Sequence, residues 1–343
     1  MIPYNLLRPL LFCLPAETAH DLALEFGATH PDLFKNDLPP HQLGQTLFGV
    51  NFPNPLGLAA GMDKNAIAIP LWKAMGFGFV ELGTITPEPQ IGNTRPRMFR
   101  LRQDHALINR MGFNNDGANT VAARLSKLKN PGITIGISVG KQVSTSIKYA
   151  ADDHRRCIEF VYPYVDYIVM NVSSPNTKDL RNLQGKEFIA DLMQAGKEDC
   201  RRLGIHYELI KPKPLLVKIA PDLTDEQLED ILEAIETTKI DGLVATNTTI
   251  GRHGLKSRKA KQEGGASGPL LFRRAQEMAQ RARARLPKLP IIGVGGISDD
   301  STALMRRKVA DLIQIYTGLV YRGPIVVKEI IAALEAERQR LPV

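Results

Sequence analysis

The run Asn171-Val172-Ser173-Ser174-Pro175-Asn176 sets two carboxamides and two hydroxyls within six residues. A carboxamide offers paired donors and acceptors, which suits a planar ligand whose edge alternates N–H and C=O groups. A hydroxyl between two of them is a candidate nucleophile or proton acceptor. The run follows Tyr167-Ile168-Val169-Met170, a short β-rich segment, and so reads as the loop at the end of a buried strand. In isolation it is more often an ordinary Asx or Ser turn. The other loops reverse that judgement.

Ala59-Ala60-Gly61-Met62-Asp63-Lys64-Asn65 also ends an apolar run, with a glycine permitting close backbone approach and Lys64 able to meet an anionic or electron-rich ligand. Another run ends at Gly83-Thr84. Lys218 interrupts the apolar Leu215-Leu216-Val217-Lys218-Ile219, where a lysine is costly to bury without an anion. Thr246-Asn247-Thr248-Thr249 is a second carboxamide and hydroxyl cluster. Gly293-Val294-Gly295-Gly296 and Tyr316-Thr317-Gly318 lie near helix starts, as in the usual barrel phosphate cradle. Gly264-Gly265-Ala266-Ser267-Gly268 lets one more loop approach the same ligand. These loops hold no metal-ligand cluster and no His–carboxylate dyad. A flavin mononucleotide satisfies both halves of the set, its phosphate in the cradle and a lysine neutralising the charge that builds on the ring on reduction.

The elements that must position these loops are near-continuous apolar runs, as expected of a parallel sheet covered on both faces. Strands are expected at 56–61, 79–85, 133–140, 167–172, 215–220, 242–247, 291–295 and 312–317, with helical periodicity between them. Thr224-Asp225-Glu226-Gln227 is a capping-box helix start, followed by Leu228, Ile231, Leu232 and Ile235 on one face. Such repeated β-then-α units predict a (β/α)₈ TIM barrel, with an open doubly wound sheet as the alternative. Met98–Leu101 and Leu107–Asn109 read as an inserted β-hairpin.

The first thirty-five residues differ. Leu6, Leu7, Leu10, Leu11 and Leu14 recur at helical spacing, Pro15 breaks the run, and Ala19, Leu22, Ala23 and Phe26 form a second stripe. Each piece is shorter than the ~20 apolar residues of a spanning helix. Arg8 and Pro9 interrupt the core a secretory signal would need. Two short amphipathic helices of this kind suit a membrane surface or an apolar ligand; the alternative is a helical pair packed on the barrel.

At 343 residues and 43% hydrophobic, the chain can bury one large domain or two smaller ones. The expected division is an N-terminal helical segment, 1–35, and a catalytic barrel, 36–343. Cys13, Cys157 and Cys200 lie far apart with no CxxC pair, which indicates neither a disulfide framework nor a zinc site and points to a reducing setting. The formal charge of +8 includes runs such as Arg281, Arg283 and Arg285, or Arg306, Arg307 and Lys308, which read as solvated faces. No basic stripe is interleaved with aromatics, so nucleic acid is not an expected partner.

Taken in order, Ala60-Gly61-Met62-Asp63-Lys64-Asn65, Glu81-Leu82-Gly83-Thr84, Asn109-Arg110-Met111-Gly112-Phe113-Asn114-Asn115, Asn171 to Thr177 and Gly293-Val294-Gly295-Gly296-Ile297 resemble the dihydroorotate dehydrogenases, specifically the quinone-dependent, membrane-associated class. The resemblance covers essentially the whole chain. It implies oxidation of (S)-dihydroorotate to orotate in pyrimidine (UMP) biosynthesis, with flavin mononucleotide across the barrel mouth and a membrane quinone as electron acceptor. Ser174 matches the base that takes the C5 proton while hydride passes from C6 to flavin N5, and Thr177 matches a residue that passes the proton outward. The soluble class carries a cysteine in place of that serine. Asn109, Asn171, Asn176 and Asn247 match residues bonding the pyrimidine and its carboxylate, beside Lys64, Thr248 and the segment Arg110-Met111-Gly112-Phe113.

Flavin contacts are implied for Ala60, Gly61, Met62, Asp63 and Lys64, and for Thr84, Asn171, Lys218 and Thr246. Gly268, Gly295, Gly296, Tyr316 and Thr317 match contacts from the remaining loops. His20, Arg100 and Tyr316 match the lining of a quinone tunnel under the N-terminal helices. A monomer held peripherally on the cytoplasmic face of the membrane is also implied. The chain departs from the family pattern at Ser138, where an asparagine usually touches the flavin and the hydroxyl is expected to take over that contact through water, and at Lys178-Asp179 in the loop over the substrate. Competing readings are another flavin barrel reductase acting on a pyrimidine or on tRNA uridine, a non-redox phosphate-binding aldolase or synthase, and a non-catalytic membrane-surface binder.

Overall fold

In a computed structural model, which describes residues 4–38, 41–176 and 180–340, the apolar runs become the staves of a closed parallel barrel. In chain order the described elements are α1 (Tyr4–Cys13), α2 (Ala16–Thr29), β1 (Gln45–Leu47), β2 (Val50–Phe52), β3 (Leu56–Leu58), α3 (Ile69–Ala74), β4 (Phe79–Ile85), β5 (Met98–Leu101), β6 (Ala106–Asn109), α4 (Ala118–Leu125), β7 (Thr134–Val139) and α5 (Ala150–Val161). They continue with β8 (Tyr167–Asn171), α6 (Lys186–His206), β9 (Leu215–Ile219), α7 (Asp225–Thr238), β10 (Gly242–Ala245), β11 (Gly265–Ser267), α8 (Phe272–Arg285), β12 (Ile291–Val294), α9 (Asp300–Arg307), β13 (Leu312–Ile315), α10 (Thr317–Arg322) and α11 (Ile325–Arg340). The barrel order is β3-β4-β7-β8-β9-β10-β12-β13, and β13 pairs back on β3 with Ile313 opposite Leu56. That closure excludes the open sheet.

The expected capping box forms at α7: Thr224 Oγ1 accepts from the Gln227 N–H, and Gln227 Oε1 accepts from the Thr224 N–H. Its stripe of Leu228, Ile231, Leu232 and Ile235 is buried against the sheet layer. The expected hairpin is β5 and β6, but β11 joins it, Gly265 opposite Asn109, to make a three-stranded sheet. The glycine-rich 264–268 loop therefore reaches the mouth as a strand.

The hairpin β1–β2 was not apparent from the sequence. Phe52 at its end packs edge-on against Phe79 at 5.3 Å and, with Tyr167, fills the barrel floor. Gly57 and Gly136 are the small partners that this filling requires: a Cβ on Gly136 would lie 2.0 Å from Tyr167 Cζ, and one on Gly57 2.3 Å from Phe79. Large rings alternate with absent side chains, as close packing demands.

The two N-terminal helices cover one side of the mouth. Within α1 no residue is buried, and Leu6 and Leu10 are 67% and 68% exposed. Leu22 and Phe26 extend the apolar surface along α2, while Ala19 and Leu24 turn inward. Among the described residues no helix is long and apolar enough to cross a membrane.

The solvated-face reading of Arg306 is corrected. It is fully enclosed, because Gly293 leaves room for its stem; a Cβ there would come within 2.7 Å of Arg306 Cγ and Cδ.

Substituting Gly136→Ala should cost about 1–3 kcal/mol by forcing the Tyr167 ring aside. Urea unfolding checks this, and an unchanged midpoint at unchanged m-value would show that the floor has slack.

Candidate active site

The site is built upward from an enclosed charge. Glu81 on β4 is fully buried on the barrel axis, where a lone carboxylate would be very costly. Lys218 Nζ on β9 lies 3.2 Å from Glu81 Oε1, and Gln314 Nε2 on β13 donates to Oε2 at 2.7 Å. Lys218 is thereby held upright, its head lining a cleft at the carboxyl ends of the strands.

Over Lys218 lies a mesh of carboxamides and hydroxyls. Asn171 donates through Nδ2 to Thr84 Oγ1 at 2.8 Å, and its Oδ1 accepts from Ser173 Oγ at 3.1 Å and Asn247 Nδ2 at 3.3 Å. Asn247 also donates to Ser173 Oγ, and its Oδ1 accepts the Thr248 N–H at 2.8 Å. Ser174 Oγ accepts from the Asn176 N–H at 3.2 Å, and Asn176 Nδ2 donates to Asn109 Oδ1 at 3.2 Å. Loops after three strands and the β-hairpin therefore converge on one wall. Arg181 locks it from outside, donating to the carbonyls of Ser173 and Thr248 while paired with Asp222.

Across the cleft stand Ala60, Gly61 and Lys64 from the loop after β3, with Met111, Gly112 and Phe113 after β6. Burial, and the nearby Arg97 guanidinium, hold the Lys64 pKa down at about 8. Arg97 is itself buried against Glu17 of α2, Nη2 to Oε1 at 2.6 Å, and donates to the Asn93 carbonyl. Asn93 Nδ2 reaches the carbonyls of Arg110 and Asn176. A continuous set of bonds thus runs from α2 to the Ser174 loop. Burial works against the Glu17 carboxylate, but Arg97 and Arg95 more than offset it and its pKa falls.

The far end is made of small residues: Gly268, Gly295 and Gly296, with Thr246, and with Thr317, whose Oγ1 pairs with Ser267 Oγ at 2.8 Å. No carboxylate lines the cleft among the described residues, whereas two lysines do. The Gly296 N–H donates to no acceptor among the described residues. A free backbone N–H and two ammonium groups, one of them paired from below with Glu81, make a donor set that suits an anionic ligand.

Four expected contacts are corrected. Ser138 lies behind Thr84, bonded to its Oγ1 at 2.8 Å, and is fully enclosed. Asp63 turns away to hold the turn that leads into α3, accepting from the N–H groups of Ile67 and Ala68 and from Trp72 Nε1. The Arg110 guanidinium points outward to Gln262 and the Pro96 carbonyl. Met62 lines a different cavity. Thr177, Lys178 and Asp179 lie outside the described residues. Sequence reasoning missed Gln314, Asn93 and Arg181 and the pairing role of Glu81; a lone Glu in the apolar run Phe79-Val80-Glu81-Leu82 was the available signal.

The second cavity is predominantly apolar and opens between α1, α2 and the barrel, with His20, Arg100 and Tyr316 in its wall. Burial, and then the Lys64 charge, bring the His20 pKa down to about 4, so the ring is neutral at pH 7. Arg100 donates to the carbonyls of Leu11 and Leu14 and stacks on Phe12 at 4.6 Å, fixing the end of α1. Tyr316 lines both cavities, and burial pushes its pKa up to about 12.

The fold is a closed β/α barrel whose polar, cationic mouth adjoins an apolar side cavity across one tyrosine. The dihydroorotate dehydrogenase family model matches residues 42–337. Proteins named dihydroorotate dehydrogenase (quinone) from Chloroflexus aurantiacus and Dichelobacter nodosus are each 46% identical, over 96% of this chain and 94% and 97% of theirs. The crystal structure of an Eimeria tenella DHODH in complex with ferulenol superimposes with a TM-score of 0.85 at 36% identity, covering 94% of this chain and 92% of that one. The chain belongs to the dihydroorotate dehydrogenase family, in its quinone-dependent class, and is an oxidoreductase.

Lys218→Met should strand Glu81 and cost about 3–5 kcal/mol, whereas Lys218→Met with Glu81→Gln should recover most of it. Thermal unfolding of both variants checks this; equal losses would mean that the pair is not coupled.

Proposed function

We propose that the protein oxidises (S)-dihydroorotate to orotate in pyrimidine biosynthesis and passes the electrons to a membrane quinone. The observation that carries this is the convergence of Ser174, Lys64, Lys218 and the four asparagines on one cleft from five separate segments. Flavin mononucleotide, when bound there, supplies the hydride acceptor and the link to the quinone. Gly268, Gly295, Gly296 and Thr317 would hold its phosphate, and Lys218, Thr84, Asn171 and Thr246 its ring.

The chain's own residues then divide the work. Asn109, Asn171, Asn176 and Asn247 match the alternating donors and acceptors of a pyrimidine edge. Lys64 takes the substrate carboxylate. Ser174 Oγ, whose only bond among the described residues comes from the Asn176 N–H, has its proton and a lone pair free to accept the C5 proton and hand its own outward. A hydroxyl is a weak base, and a cleft closed by the Asn93 and Arg181 bonds helps by excluding water. Thr177 follows in sequence as the proton's next stop.

On the other side, α1 and α2 form the segment, 1–35, that rests on the membrane surface through Leu6, Leu10, Leu22 and Phe26. The quinone enters beneath them and meets His20, Arg100 and Tyr316. A monomer on the cytoplasmic face fits this arrangement, since the exposed apolar face is used by lipid rather than by a partner.

A yellow protein bleached anaerobically by dihydroorotate and restored by a short-chain quinone is the expected behaviour; absence of bleaching would overturn the reading. Ser174→Ala should slow flavin reduction by about 100-fold or more while leaving reoxidation within about twofold. Equal effects on the two half-reactions would remove Ser174 as the base.

The Lys64 ammonium is present below its pKa of about 8 and lost above it. The KM for dihydroorotate should therefore be flat below pH 8 and rise by about tenfold per unit beyond it. Lys64→Met should raise KM at every pH by about tenfold or more and abolish the bend. A bend retained in the variant would assign it to another group.

A further inference from the structure

Arg306 on α9 is fully enclosed, and among the described residues no carboxylate pairs with it. Its donors go to three backbone carbonyls and one side-chain amide instead. Nη1 donates to the Val294 carbonyl at 3.2 Å, Nη2 to the carbonyls of Gly295 at 3.1 Å and Phe272 at 3.0 Å, and Nε to Gln276 Oε1 at 2.7 Å. The guanidinium also lies over the Phe272 ring, 5.0 Å from its centroid. One planar fork thus pins the end of β12 to the first turns of α8, a geometry that a lysine cannot reproduce.

Those bonds have a consequence on the opposite side of the loop. The Gly295–Gly296 peptide is trans, so its N–H points away from its C=O. With the Gly295 carbonyl held toward Arg306, the Gly296 N–H faces the other way. Gly296 lines the mouth, and its N–H has no acceptor among the described residues. Behind this donor sits a buried positive charge without a counter-ion. Burial lowers the Arg306 pKa to about 10, which leaves it charged at neutral pH. A cation enclosed in this way is costly unless an anion comes near it.

We propose that Arg306 is a positioning residue for the dianionic phosphate monoester of the cofactor, setting the Gly295–Gly296 backbone with its N–H toward the mouth and adding positive potential from behind. This rests on the reading of the mouth as a flavin mononucleotide site. Arg306 touches no ligand itself and acts through the loop.

The test compares flavin mononucleotide with riboflavin, which lacks the phosphate. Release of each from the full-length protein is followed by the fluorescence gained on dilution. Arg306→Met should release flavin mononucleotide about tenfold faster or more, with riboflavin release within about twofold of the unsubstituted protein. Should that variant not fold, Arg306→Lys and Gln276→Ala are read the same way, with flavin mononucleotide released about threefold faster or more and riboflavin unmoved. Unchanged release of flavin mononucleotide, or equal acceleration of both ligands, overturns the inference and leaves the mouth reading standing. An unsubstituted protein that binds neither flavin overturns both.

Discussion

A carboxylate sealed in the middle of a barrel has to be matched, and the match at Glu81 organises the rest of the mouth. Its two oxygens take Lys218 from one strand and Gln314 from another, so three staves are tied across the axis at the level where the polar cleft begins. Below that level the floor is aromatic, filled by Phe52, Phe79 and Tyr167 against two glycines. Above it, the strand ends and their loops supply the polar and small residues that line the cleft. The ion pair marks the boundary, and it stops Lys218 from bending toward solvent as a long side chain otherwise would.

The mouth also depends on connections that leave the barrel. Glu17 belongs to a helix whose outer side is apolar and exposed, yet its carboxylate is buried on Arg97, whose other bonds hold the Asn93 segment. Through Asn93 the same arrangement reaches Asn176 and the loop carrying Ser174. The helices that border the apolar cavity and the loop that covers the polar one are therefore parts of one bonded structure. Tyr316 is the wall between the two cavities, and its enclosed phenol stays protonated at neutral pH.

Much of this was legible in the chain before folding. The eight apolar runs are the eight staves, because a strand covered on both faces has to be apolar throughout. Two of them end a few residues earlier than expected, at Leu58 and Ala245, since the residues that follow leave the ladder to line the cleft. Lys218 stood out for a related reason: a charge inside such a run has no solvent to reach. Glu81, inside the apolar run Phe79-Val80-Glu81-Leu82, carries the same signal. The arginines were harder. Periodicity places Arg281 and Arg306 alike on helices, but only one of them is exposed. What separates them is the space left at Gly293 on a different strand, which no local pattern reports.

Residue types and their order along the chain determined the strand count, the helix starts and the polar strand ends, because these follow from periodicity, capping and the cost of burying polar groups. Family membership was also readable there, since motifs that long do not recur in that order by chance. Only the tertiary structure decided that Ser138 and Asp63 face away from the cleft, that β11 completes the hairpin sheet, and that Arg97 joins Glu17 to Asn93. Each of those depends on which side chain finds a partner across a long loop closure, and that choice is settled by packing in three dimensions.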